Sequence, residues 1–312
     1  MAGADIPRPR LICIVGPTGV GKTAMALELA GRWGGEIVSA DSMQVYRHMD
    51  IGTAKPTPEE RRRIPHHLLD VVNPDEPFDA SLYIRLANGI IADLQRERKV
   101  VFVVGGTGLY IRALLGGLID GPGADEVLRR ELKQQMNQRG KAHLYERLRT
   151  TDPLAADQIH PHDGIRIIRA LEVLELTGRS IVAHQQEHRF GEAPYELLRI
   201  GLCLDRERLN DRIERRTDRM IADGLPEEVR RLLDMGYTES LKPMQSLGYR
   251  NMISFLAGQQ SLEEAVRLIK RDTCRYAKRQ MTWFAADREV VWLDPGDVDA
   301  ASKRIDLFLN CG

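Results

Sequence analysis

Short apolar runs recur along the chain at 11–15, 36–39, 67–71, 100–104, 198–204 and 289–293, and amphipathic stretches separate many of them. Apolar runs of this length, alternating with helical spacing, predict buried parallel strands whose two faces are covered by helices. The alternation stops between about 120 and 194, where no strand pattern stands out. There 125–139, 141–149 and 163–176 carry helical spacing. Gly121-Pro122-Gly123 marks the start of this stretch and the polar segment 184–194 its close. Two further helical regions follow, over roughly 206–256 and 262–284. The pattern therefore predicts an α/β fold, a P-loop-type parallel sheet flanked by helices, formed by 1–119 and 197–312. An all-helical insertion domain at 120–196 interrupts it.

The first strand runs into Gly16-Pro17-Thr18-Gly19-Val20-Gly21-Lys22-Thr23, and a helix over 24–30 follows. This is the G-x-x-x-x-G-K-[ST] phosphate loop in the context that it requires. Its glycines let backbone N–H groups converge on phosphate oxygens at the positive end of a helix. Lys22 supplies charge, and Thr23 is the expected Mg²⁺ ligand. By itself the loop specifies a diphosphate or a triphosphate, including ATP. The strand 100–104 ends not in the Asp of a nucleotide hydrolase but in Gly105-Gly106-Thr107-Gly108. The strand 36–39 runs into Asp41, at the sheet edge where open α/β proteins bind ligands. From position alone, Asp41 is equally a turn-capping residue.

Composition narrows the class. The 312 residues carry a formal net charge of zero, and 43% are hydrophobic. No apolar run is long enough to span a membrane, and the opening MAGADIPRPR lacks the apolar stretch of a signal peptide. Cys13, Cys203, Cys274 and Cys311 are scattered, which fits a reducing cytoplasm better than a zinc site or a disulfide framework. His66, His67, His160, His162, His184 and His188 lack zinc-ligand spacing. Charge is concentrated locally, with six cationic side chains against one Asp over 266–280. Within that run Arg271, Arg275 and Arg279 recur every fourth residue beside Lys278 and Gln280.

Several motifs follow one another along nearly the whole chain: GPTGVGKT at 16–23, ADSMQVYR at 40–47, DIGTAKPT at 50–57, HHLLDVVNPDEPFDASLY at 66–83, VVGGTGLYIRALL at 103–115, DGIRIIRALEVLELTGR at 163–179, MQSLGYR at 244–250 and RYAKRQMTWF at 275–284. Together they resemble the tRNA dimethylallyltransferases, in the short bacterial form without a zinc finger. The resemblance implies transfer of a dimethylallyl group from dimethylallyl diphosphate to N6 of the adenosine 3′ of the anticodon, in tRNAs reading codons that begin with U. It implies that 16–23 hold the diphosphate, with Arg216 aimed at it, and that Asp41 is the general base with Thr107 beside it; Arg212, one helical turn before Arg216, is placed to share the diphosphate. It implies contacts to the anticodon stem-loop from Asp41, Ser42, Met43, Gln44, Thr107, Arg129, Arg166, Arg169, Gly248, Arg250, Arg275, Lys278, Arg279 and Gln280. The expected cofactor is Mg²⁺, and the expected form is a cytoplasmic monomer. One departure is Pro161-His162-Asp163, where the family often has Pro-Asn-Asp. The alternatives are prenylation of free AMP, a small-molecule kinase, and a non-catalytic RNA-binding module.

Overall fold

The computed structural model describes residues 8–117, 123, 125–187 and 194–310. Gly121, Pro122, His188 and Cys311 lie outside them. Contacts divide the chain into two compact units, Met1–Leu115 with Pro194–Gly312, and Gly116–Ala193.

The first unit is built on β1 (Arg10–Val15), β2 (Glu36–Ser39), β3 (His66–His67), β4 (Val101–Gly105), β5 (Glu196–Leu202) and β6 (Val291–Leu293). They form one sheet in the order β3-β2-β4-β1-β5-β6, and every pairing is parallel. Helices α1 (Lys22–Trp33), α2 (Pro58–Arg63), α3 (Ala80–Arg96) and α4 (Gly108–Gly116) belong to its first half. Helices α10 (Arg206–Ala222), α11 (Leu225–Asp234), α12 (Tyr249–Leu256), α13 (Leu262–Ala285) and α14 (Val298–Asn310) belong to its second. Side chains alternate across a strand, so each central strand feeds two cores. Leu11, Cys13 and Val15 join Val101 and Val103 in one. Ile12 and Ile14 join Phe102 and Val104 in the other. Burial on both faces explains why these strands read as unbroken apolar runs.

Register sets the site. Val15 pairs with Gly105 and with Gly201, and Ser39 pairs with Val104, so β1, β2, β4 and β5 end nearly level. The third expected strand, 67–71, is shorter than its apolar pattern. Pairing stops at His67, and Leu68 and Asp70 take positive φ values of 62° and 55°. Asp70 turns aside to ion-pair with Lys55 and Arg61. The last strand begins at Val291 rather than 289, because the Asp287 side chain accepts from the Glu289 N–H and holds a turn there.

The second unit is helical among its described residues. It contains α5 (Glu126–Arg139), α6 (Lys141–Thr151), α7 (Pro153–Gln158), α8 (Gly164–Thr177) and α9 (Ile181–Glu187). Leu132, Leu144, Leu148, Ile167 and Leu171 are buried in a core of its own. Asp125, Asp152 and Asp163 cap α5, α7 and α8 through side-chain acceptance of backbone N–H groups. The short α7 went unread in the sequence. Its Asp-Pro start is a capping signal, but six residues are too few for a clear period.

Candidate active site

The phosphate loop leaves β1 at Gly16, and α1 begins at Lys22. Gly21 precedes the helix at φ 113°, and neither a side-chain cap nor a first-turn acid satisfies the leading N–H groups. A helix start with unspent donors is an anion site. Lys22 folds over the loop and donates to the carbonyls of Gly16 at 3.0 Å and Pro17 at 2.8 Å. Burial lowers its pKa to about 8; Asp41 opposes that shift and Arg216 reinforces it. Arg216, on α10, is likewise shifted down by burial and held up by Asp41. The expected diphosphate ligand Lys22, the expected diphosphate ligand Arg216 and the expected base Asp41 thus share one electrostatic environment. Arg212, one turn before Arg216, puts its guanidinium 3.1 Å from where a Cβ on Gly21 would stand.

Asp41 follows β2 and caps its own turn. Its Oδ1 accepts from the N–H of Met43 at 2.8 Å and of Gln44 at 3.3 Å. Capping and a place in the pocket therefore coexist. Thr107, beyond β4, stands beside it, and its Oγ1 accepts from the Ser42 N–H at 3.0 Å. The Thr107 N–H donates to Ala40 O, which joins the ends of β2 and β4. Asp41, Ser42 and Met43 line a cavity of about 630 Å³ together with Thr18 and Arg216. Gln44 does not. Its amide donates to the carbonyls of Thr53 and Ala54, so it braces the wall instead of facing the space.

Helix α13 forms another wall, with Arg271, Arg275 and Arg279 all lining the cavity alongside Gly248 and Arg250. The stripe read from fourfold spacing is therefore a pocket wall. Asp272 pairs with Arg250 at 2.8 Å, Arg271 at 2.9 Å and Arg275 at 3.6 Å, which tempers the positive charge. Lys278 is exposed. Tyr276, which the sequence reading passed over, also lines the cavity, and its hydroxyl is pushed up to about 12 by burial, then by Asp41.

Gln280 differs from its expected place against RNA. It is 7% exposed and spends its amide inside the protein. Its Oε1 accepts from the Thr18 N–H at 2.9 Å, and its Nε2 donates to Gly106 O at 2.8 Å. It thereby ties α13 to both the phosphate loop and the end of β4. Gly106 has to be glycine for this, since a Cβ there would stand 2.3 Å from the Gln280 Nε2.

In the second unit, Arg129 and Arg169 converge on Glu172, whose side chain is wholly buried. Arg129 lies at 2.8 Å and Arg169 at 2.5 Å. Both arginines, expected at RNA, have a role in neutralising this carboxylate. Arg166 is exposed and pairs loosely with Asp163 at 3.3 Å.

Among the described residues no three His, Cys, Asp or Glu side chains gather where they would hold a metal by themselves. The phosphate-loop arrangement suits Mg²⁺ of the kind that relies on one protein hydroxyl and the oxygens of its phosphate ligand. Thr23, in the first turn of α1, has that position. No helix among the described residues is long and apolar enough to cross a membrane.

Comparison with known proteins agrees with this geometry. The pattern of the IPP transferase family matches residues 44–287, and that of the isopentenyl transferases matches 9–72. A tRNA dimethylallyltransferase of Syntrophus aciditrophicus is 58% identical over 98% of both chains, and one from Geobacter metallireducens is 55% identical over 97% and 98%. The crystal structure of a Bacillus halodurans tRNA isopentenylpyrophosphate transferase has 42% identity and a TM-score of 0.71, with 97% of this chain and 96% of that one covered. A eukaryotic dimethylallyltransferase studied crystallographically while acting on tRNA has 27% identity and a TM-score of 0.81, over 97% and 80%. With its motifs in order along the chain and its phosphate loop, Asp41 and Arg216 at one cavity, this protein belongs to the IPP transferase family.

Proposed function

We propose that the protein transfers a dimethylallyl group from dimethylallyl diphosphate to N6 of the adenosine 3′ of the anticodon in tRNA, and releases diphosphate. The observation that carries this reading is that Thr18 of the phosphate loop, Arg216 and Asp41 line one cavity, at an uncapped helix start whose Lys22 is electrostatically coupled to both Asp41 and Arg216.

An allylic diphosphate ionises because positive charge spreads over the allyl unit, while negative charge grows on the departing oxygen. In this reading the leading N–H groups of α1, with Lys22 and Arg216, donate where that charge develops. Mg²⁺, held at Thr23, would add Lewis-acid neutralisation of the diphosphate. As the C1–O bond breaks, the adenine N6 forms its bond to C1. Its proton passes to Asp41, whose Oδ1 is engaged by its own turn. Proton removal comes late, once the attacking nitrogen has become acidic. Thr107 holds the Ser42 N–H and so keeps the Asp41 turn in place. Gly248, Arg250, Arg275, Lys278 and Arg279 are read as contacts to the RNA, and Arg166 of the helical insertion as a further one. We read the protein as a cytoplasmic monomer, which light scattering of the purified chain tests.

The decisive experiment incubates the protein with dimethylallyl diphosphate, Mg²⁺ and unmodified tRNA, then digests the RNA to nucleosides. N6-dimethylallyladenosine is the expected product. Prenylation of AMP without modified tRNA, or label from γ-phosphate on a product, would replace this reading.

A further inference from the structure

Behind the cavity lies a buried carboxylate to which no role in the reaction has been given. Glu228, on α11, is 1% exposed. It accepts from the backbone N–H groups of Asp50 at 2.9 Å, Ile51 at 2.7 Å and Gly52 at 3.1 Å. It also accepts from the Tyr249 hydroxyl at 2.6 Å. Both partners belong to cavity walls. Gly52 and Thr53 line one side, and Gly248, Tyr249 and Arg250 line another. The walls meet so closely that a Cβ on Gly52 would stand 2.5 Å from the Tyr249 ring.

We propose that Glu228 is a positioning residue that sets the spacing between these two walls, and through them the place of the acceptor nucleotide. The proposal rests on the transferase reading above. Four donors on one carboxylate justify its burial, since a desolvated charge persists only when its hydrogen bonds are made. The same clamp extends toward the base. The next carbonyls along the loop, of Thr53 and Ala54, accept from the Gln44 amide, and the Gln44 N–H donates to Asp41. Lys55 anchors the far side of the loop through Asp50 and Asp70, each at 2.7 Å. A loop fixed at both ends offers Asp41 a stable backdrop. When the carboxylate is lost, three N–H groups are left in competition for one oxygen. The donor cradle lies apart from this network, because Gln280 and Lys22 secure it.

Steady-state transfer to unmodified tRNA, with the full chain, tests this in Glu228→Gln, Tyr249→Phe and the double variant. Glu228→Gln should lower kcat about tenfold, with the KM for dimethylallyl diphosphate within about twofold. Tyr249→Phe, which removes one of the four bonds, should cost about threefold. The double variant should fall no further than Glu228→Gln alone, since the Tyr249 bond is one of the four that Glu228→Gln already disrupts. Unchanged kcat in Glu228→Gln, effects that multiply, or a kcat loss matching the unfolded fraction in a thermal melt would each overturn the proposal. Active wild type beside an unaffected variant removes only this inference. Wild type that modifies no tRNA removes the transferase reading and this inference with it.

Discussion

The phosphate-loop end of the cavity and the α13 wall both carry positive charge, yet they hold it differently. At the loop, Lys22 and Arg216 are half-buried, and that burial lowers the pKa of each. On α13, Arg275 and Arg279 remain exposed, and Asp272 balances the wall through three ion pairs. A partly desolvated cation acts strongly, with little salt screening and in a fixed geometry. A hydrated one acts more weakly and is screened by salt. The first arrangement suits a small, densely charged leaving group. The second suits a polyanion that must be attracted, seated and released.

The largest effect that would sharpen this contrast is at Asp41. Asp41→Asn should cut kcat by ~10²–10⁴-fold with tRNA affinity nearly intact, as filter binding beside rapid-quench transfer would read. Full turnover would remove Asp41 as base. Lys22→Ala should lower kcat/KM for the donor by ~10²–10³-fold and spare tRNA binding. Loss of tRNA affinity instead would break the division between the two regions.

The α13 wall should respond more gently. Arg275→Ala with Arg279→Ala should weaken tRNA binding about tenfold and reduce the slope of log affinity against log salt by about 1.4, for two phosphate contacts on single-stranded RNA. An unchanged slope would mean that these arginines never meet phosphate. The pH dependence of donor binding is smaller still. The charged form of Lys22 is the one that binds diphosphate, and in the free protein it is lost as pH rises through about 8. Donor affinity should therefore hold below that pH and decline above it. Calorimetry in buffers of different ionisation enthalpy should find proton uptake near pH 8. Gln280→Met should raise donor KM a few-fold, by freeing Thr18 from α13.

The strands and the phosphate loop were legible because local spacing encodes them. Doubly buried strands are apolar throughout, and the glycine spacing of 16–23 is a local geometric demand. The shortened β3 was not legible, since its end is set by the pairing of Asp70 with Lys55 and Arg61, one of them fifteen residues away. Gln280 was singled out by motif, but its burial depends on Gly106, far off in the chain. Glu228 gave no signal. In LPEEVRRLLD it looks like any acid on an amphipathic helix.

By itself, then, the chain's sequence determined most of the segments that become strands and helices, where the phosphate-loop motif stands, and the family to which it belongs. Those properties follow from side-chain period, backbone freedom and motif order, all of which act within a few residues. Only the tertiary structure decided which charges lose their water, which amides are spent on the protein, and which walls touch. Burial and hydrogen-bond partnership are properties of neighbours brought from distant parts of the chain, and no local pattern specifies them.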